Sequence, residues 1–139
     1  MYTGSCLCGE ITVELTGPIT SIIHCHCSLC RKNSGTAFAT NGFINANEFI
    51  ISTGSNLLSE YSFKAGRTRY FCKCCGSPIY SANADDKSRY RIRLGLIDSA
   101  ITEKPLSHNF VTSKANWEQL ETSLPCYDTF EPSRYSISI

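Results

Sequence analysis

With 139 residues, 42% of them hydrophobic, and charge near balance (13 Lys and Arg against 12 Asp and Glu, formal net charge +1), the chain is long enough for a real core and carries no basic surplus for non-specific nucleic-acid binding. No run approaches the roughly 18 apolar residues of a membrane span, and the opening MYTGSCLCGE lacks the basic-then-apolar layout of a secretory signal. These features predict one domain over residues 1–139 of a soluble, cytoplasmic protein, and nine cysteines in a reducing compartment point to metal more than to disulfides.

In chain order, GSCLCGE comes first. Read as an extended strand, it places Cys6 and Cys8 two residues apart on the same side, able to face one metal. EITVEL then alternates, with Ile11, Val13 and Leu15 on one face. CHCSLCRK follows. Cys25 and Cys27 share a strand face there, and Ser28 is expected to cap a short turn from Leu29 to Lys32 that brings Cys30 back to them. His24 and His26 would point the opposite way. TAFATNGFI, EFIISTG, LLSEYSF, RTRYF, SPIYSA and YRIRLGLI alternate in the manner of strands, with Gly, Asn or Ser at most breaks. FCKCCGS interrupts this series. Near the end, SKANWEQLE could hold one or two helical turns from Ser113. The sum is a mostly β domain of many short strands with one or two short helical turns.

Cys72 and Cys75 in FCKCCGS form a C-x-x-C pair followed by Gly76, and Gly9 follows Cys8 in the same way. Glycine relieves the tight turn that lets backbone N–H groups approach sulfur. Cys6, Cys8, Cys72 and Cys75 therefore make a complete tetrahedral zinc site, which is closed and hence structural. A Cys72–Cys74 pair is the alternative, but Cys74 fits better as a spare thiol. Cys25, Cys27 and Cys30 supply three ligands to a second zinc and leave one vertex. His108, Cys126, water or a substrate thiolate are all candidates to fill it, and spacing does not choose among them.

GSCLCGEI, CHCSLCRKNSG and YFCKCCGSPIY, in this order, resemble the signature blocks of the glutathione-dependent formaldehyde-activating enzyme family, which includes centromere protein V. The tail HNFVTSKANWEQL…LPCYDTFEP is similar to the family's C-terminal pattern, although Asn116 stands where proline is common. The resemblance implies antiparallel sheets folded over one another in a β-tent zinc fold. It implies two zinc ions, a structural one on Cys6, Cys8, Cys72 and Cys75 and a catalytic one on Cys25, Cys27 and Cys30, with the spare vertex open to substrate. The activity implied is that of a carbon–sulfur lyase. Glutathione or a related thiol is held at the zinc and joined to formaldehyde or a related aldehyde as an S-hydroxymethyl adduct, or that adduct is cleaved.

A thiol bound at zinc is deprotonated, whereas a free one titrates near pH 8.5. Glutathione carries two carboxylates, so its groove needs cations. Arg31, beside Cys30, is the first choice, with Lys32, Arg67, Arg69 and Lys114 as further options. His26 could shuttle a proton but is expected to pack. His108 is weighed in the same way, and Trp117 and Phe38 are candidates to line the pocket. Two other classes remain: a zinc-scaffolded binding module without turnover, and a thiol-redox protein using Cys74 or Cys126.

Overall fold

A computed structural model describes residues 1–120 and 123–134. Its strands are β1 (Tyr2–Ser5), β2 (Thr12–Leu15), β3 (Ser21–Cys25), β4 (Ala39–Asn45), β5 (Phe49–Thr53), β6 (Leu58–Lys64), β7 (Arg67–Cys72), β8 (Pro78–Asn83), β9 (Asp86–Arg93), β10 (Ser107–Asn109) and β11 (Cys126–Tyr127). The α-helix among the described residues is α1 (Ser28–Ser34), and single 3-10 turns sit at Ala46–Glu48, Ser55–Leu57, Leu94–Leu96 and Val111–Ser113. The domain is therefore mostly β, as the alternating segments predict. None of its described helices is long and apolar enough to cross a membrane.

The strands form a three-stranded sheet, β1-β2-β5, and an eight-stranded one ordered β11-β10-β3-β4-β9-β8-β7-β6. Pairing is antiparallel except at β10, which runs parallel to both β3 and β11. The small sheet closes over one face of the large one. Ile11, Val13 and Leu15 from the β2 region meet Ile22, Ile44, Ile79 and Ile92 there, all at most 1% exposed. Each such side chain contributes about 1.5–3 kcal/mol on burial. Where β1 passes the Leu94–Leu96 turn, a Cβ on Gly4 would stand 2.6 Å from the Leu96 carbonyl oxygen, so only glycine permits that approach.

The period of two along each strand gives the large sheet a second, different face. Tyr70, Tyr80 and Tyr90 lie on the covered side, where Tyr70 stacks on Tyr80 with ring centroids 4.4 Å apart. Alternate residues on β7 and β9 are arginines and point the other way. On that opposite face Ile23, Cys25, Cys30, Ala39 and Phe43 form a smaller apolar cluster. The expected helix in SKANWEQLE does not form over its described residues. The 3-10 turn ends at Ser113 and only a single turn follows, closed by the Glu118 N–H on the Ala115 carbonyl at 3.1 Å; Glu121 lies outside the described residues.

Candidate metal centres and the groove beside them

Cys6 follows the end of β1 and Cys8 lies in the turn beyond it, so the pair sits on a tight turn and not on the extended strand expected from sequence. The Gly9 N–H donates to the Cys6 carbonyl at 2.9 Å, and Gly9 takes φ 80°. A matching turn follows β7, where the Gly76 N–H donates to the Cys72 carbonyl at 2.7 Å with φ 79°. At these two positions the left-handed backbone favours glycine. The turns are tied together by the Leu7 N–H on Ser77 Oγ at 2.9 Å. The sulfurs of Cys6, Cys8, Cys72 and Cys75 all lie within 4.8 Å of one another, with Cys6–Cys8 at 3.6 Å and Cys8–Cys72 at 3.8 Å. A tetrahedral zinc with Zn–S near 2.3 Å wants sulfurs about 3.8 Å apart, so this donor set fits zinc. Hydrogen bonding with Ser77, side chain before backbone, holds the Cys75 thiol down to about 5. Cys74 is exposed and outside the group.

Cys25 ends β3, and Cys27 is itself the N-cap of α1, with φ −65° and ψ 155°. Its sulfur accepts from the Cys30 N–H at 3.3 Å, the place that sequence assigned to Ser28. The helix also runs further than expected, to Ser34, and stops at Gly35 with φ 73°. Cys25 and Cys27 sulfurs are 3.4 Å apart, and all three lie within 4.8 Å of one another. The sulfurs of Cys25 and Cys30, followed by the Cys30 and Leu29 N–H groups, favour the Cys27 thiolate. Three sulfurs so placed suit three corners of a zinc tetrahedron.

No Cys, His, Asp or Glu among the described residues completes that cluster. His108 pairs in register with His24, one strand position from Cys25, and therefore lies on the other face. Its Nδ1 is 2.8 Å from His26 Nε2, and its ring stacks on His24 at 4.9 Å, with Phe38 4.6 Å from His24. All three histidines thus pack together away from the sulfurs. Burial, then the neighbouring His108 and His24, push His26 down to about 4, which makes it a neutral packing group at neutral pH. Cys126 sits opposite His108 in β11 and is exposed.

The three sulfurs open into a cavity of about 240 Å³ on the arginine-bearing face of the large sheet. Among the described residues its wall carries Lys64, Arg67, Arg69, Arg91, Arg93 and Arg134 and no carboxylate. Arg93 interacts with Cys30. Its Nη2 donates to Asn33 Oδ1 at 2.6 Å and its Nη1 to Asn41. Burial lowers its affinity for its proton, against which Cys30 acts. Arg69 Nη1 donates to the Leu29 carbonyl at 3.0 Å and so ties β7 to α1.

Of the cations named from sequence, Arg67 and Arg69 line this wall, whereas Arg31, Lys32 and Lys114 do not. Arg31 is half-buried elsewhere, its Nε buried without a hydrogen-bond partner. Trp117 is 68% exposed and Phe38 belongs to the histidine cluster, so neither lines the cavity. Arg91, Arg93 and Arg134 escaped the sequence reading. The signal for two of them was present in the arginines of SRYRIRL, which recur at every second residue along β9.

Against known proteins, the model of the family described as glutathione-dependent formaldehyde-activating enzyme matches residues 1–113. That span contains all seven clustered cysteines but neither Cys126 nor Arg134. A Podospora anserina protein named as a candidate glutathione-dependent formaldehyde-activating enzyme is 33% identical over 81 residues, 56% of this chain and 38% of its own length. An uncharacterized lyase of Schizosaccharomyces pombe is 30% identical over 95 residues, 68% of this chain and 67% of its own. The chain thus spans little more than a third of the Podospora relative. A crystal structure of a Rhodobacter sphaeroides protein superposes with a TM-score of 0.61 over 74% of this chain and 97% of that one, at 21% identity, a likeness of fold.

Proposed function

This chain belongs to the glutathione-dependent formaldehyde-activating enzyme family, and from that premise we propose that it is a zinc-dependent carbon–sulfur lyase-type enzyme. Cys6, Cys8, Cys72 and Cys75 would hold a structural zinc, and Cys25, Cys27 and Cys30, which line the cavity, would hold a second one. Zinc at the second site would supply a place where a thiol loses its proton and its sulfur is kept in position.

The protein's own residues do the rest. The Cys30 N–H steadies the Cys27 sulfur, and the Arg93 guanidinium next to Cys30 offsets the negative charge that three thiolates bring. Cations along the cavity take the carboxylates of glutathione or a related thiol, which orients the sulfur for a small aldehyde such as formaldehyde. In the forward direction the sulfur lone pair forms the C–S bond to the carbonyl carbon. The carbonyl π pair moves to oxygen, and that oxygen takes a proton from water to leave the S-hydroxymethyl adduct. The reverse sequence cleaves it. The histidines lie on the far face, so none of them is placed to give that proton.

One observation carries this reading: a three-sulfur cluster with no fourth protein ligand among the described residues opens straight into a cationic cavity. Replacing zinc by cobalt(II) makes the second site visible, because each thiolate ligand adds near-ultraviolet charge-transfer absorption. Glutathione is expected to increase that absorption by about one thiolate per chain and to consume added formaldehyde as the adduct, followed by NMR. A spectrum unmoved by millimolar thiol, or one altered by Cys126→Ser, would sink the open position.

A further inference from the structure

We propose that the thiol accepted by this cavity ends in a dianionic group of the phosphate type, bound by Arg67 and Arg91 at the end remote from the sulfurs; this deepens the thiol reading above and rests on it for the sulfur end only. Arg67 Nη1 and both terminal nitrogens of Arg91 converge on one neutral atom, the Asn83 side-chain oxygen, at 2.9, 2.8 and 2.8 Å, with the amide in the orientation that also lets its nitrogen donate to the Ala82 carbonyl. Two guanidinium charges are thus gathered around a single uncharged acceptor. Among the described residues Arg91 makes no ion pair, and the only ion-pair partner of Arg67 is Asp85 at 3.9 Å, whose side chain is 74% exposed. An ion pair that long and exposed contributes little.

Neighbouring groups add to the positive charge. A second cavity of about 290 Å³ meets the first at Arg67, Asn83, Arg91 and Arg134 and adds Arg89 together with Asp85 and Asp86. Arg89 is 5% exposed, and its Nη1 is buried without a hydrogen-bond partner. Two of the carboxylates nearby are engaged by other arginines, Asp86 by Arg89 at 2.6 Å and Glu131 by Arg134 at 2.8 Å, and the third, Asp85, reaches Arg67 only at 3.9 Å from an exposed position. Burial, then the charges of Arg134, Arg89 and Arg67, push Arg91 down to about 10. Like charges held this close at a cavity wall are stabilised by an anion that forks across two guanidiniums, which is how arginine meets phosphate.

Distance sets the shape of the ligand. Cys25 is level with Ala39 on β4, and Arg91 is level with Phe43, four residues further along. At about 3.3 Å per residue the thiol and anion ends are separated by roughly 13 Å of sheet, so the tail between them is long. The zwitterionic glutamyl end of glutathione suits this corner less well, because its ammonium would approach the same guanidiniums.

Pantetheine and its 4′-phosphate differ only in a terminal phosphate and make the test clean. With the zinc-loaded protein, calorimetry should show the phosphorylated thiol binding about tenfold tighter or more, and inorganic phosphate alone should bind and compete. Asn83→Asp places a carboxylate between the two arginines. It is expected to abolish phosphate binding, to bring the two thiols level and to raise the melting temperature. Arg67→Gln, at a side chain 31% exposed, should cut the affinity for phosphate and for the phosphorylated thiol more than that for pantetheine, with the melting temperature read alongside. Equal affinities for the two thiols in the unmodified protein, or phosphate binding indifferent to Asn83→Asp and Arg67→Gln, overturns the proposal. Phosphate binding needs no thiol at the metal. It can therefore hold where thiol capture fails, and thiol capture can hold where phosphate binding fails.

Discussion

The two cysteine clusters are built from similar spacings and differ in what surrounds them. The four-sulfur group joins turns that are 64 residues apart in sequence, as between Cys8 and Cys72, and those turns are shaped by Gly9 and Gly76 and tied by Leu7 and Ser77. The three-sulfur group closes within six residues, leans on a helix N-terminus, and faces five arginines and a lysine. A site that bridges distant chain segments does mechanical work whatever its chemistry, whereas a local one contributes little to stability and is free to serve a ligand. By loop-closure entropy alone, the long-range cluster constrains the unfolded chain by about 2 kcal/mol more than the local one.

The sharpest way to break this contrast is Cys72→Ser. Cys72 is fully buried in the main core as well as part of the four-sulfur group. Structural zinc contributes on the order of 10 kcal/mol in small metal-dependent domains, comparable with a whole domain's stability of about 5–15 kcal/mol. The variant, and the protein treated with a strong zinc chelator, should lose cooperative thermal unfolding. Metal analysis of the unmodified protein should find about two zinc per chain. If Cys72→Ser melts near the unmodified protein, the first cluster is not structural.

Cys27→Ser is next. It removes the sulfur that caps α1 and, with it, one of the three ligands of the local site. Thiol capture and adduct formation should vanish and zinc should fall to about one per chain, while the loss in melting temperature stays smaller than for Cys72→Ser. A larger drop than for Cys72→Ser would reverse the roles assigned to the two clusters.

What could be read from sequence follows the same division. Short-range features were legible: the cysteine spacings, the Gly9 and Gly76 turns, and the alternation in strands such as β4, β8 and β9. Features that depend on how elements rotate against one another were not. Arg31 follows buried Cys30 on a helix, where each residue turns by about 100°, so adjacency in sequence takes its side chain out of the cavity. Arg91 and Arg93 are 61 and 63 positions from Cys30 and line the same cavity only because β9 pairs with β4 and β4 with β3. The alternation in SRYRIRL shows that three arginines share a face. It does not show that this face, and not the tyrosine-bearing one, looks at the sulfurs. A formal charge of +1 likewise conceals six cations around one cavity, because charge balance over a chain says nothing about its distribution. Cys6 and Cys8, taken as neighbours on a strand, converge through a turn instead, and the convergence was right although the geometry was not.

The smallest expected effect concerns the two cysteines outside both clusters. Cys74 and Cys126 are exposed and line neither cavity, and the Cys126 sulfur makes only a 3.6 Å contact with the Leu124 carbonyl. Replacing an exposed side chain of this kind changes stability by less than about 0.5 kcal/mol. Cys74→Ser and Cys126→Ser should therefore keep the zinc content, the melting temperature and the rate of adduct formation of the unmodified protein. A thiol-redox enzyme needs a reactive sulfur free of metal, and these are the two it would have. Loss of activity in either variant with zinc content unchanged would move the chemistry from the zinc-facing cavity to the surface and make the three-sulfur cluster a second scaffold.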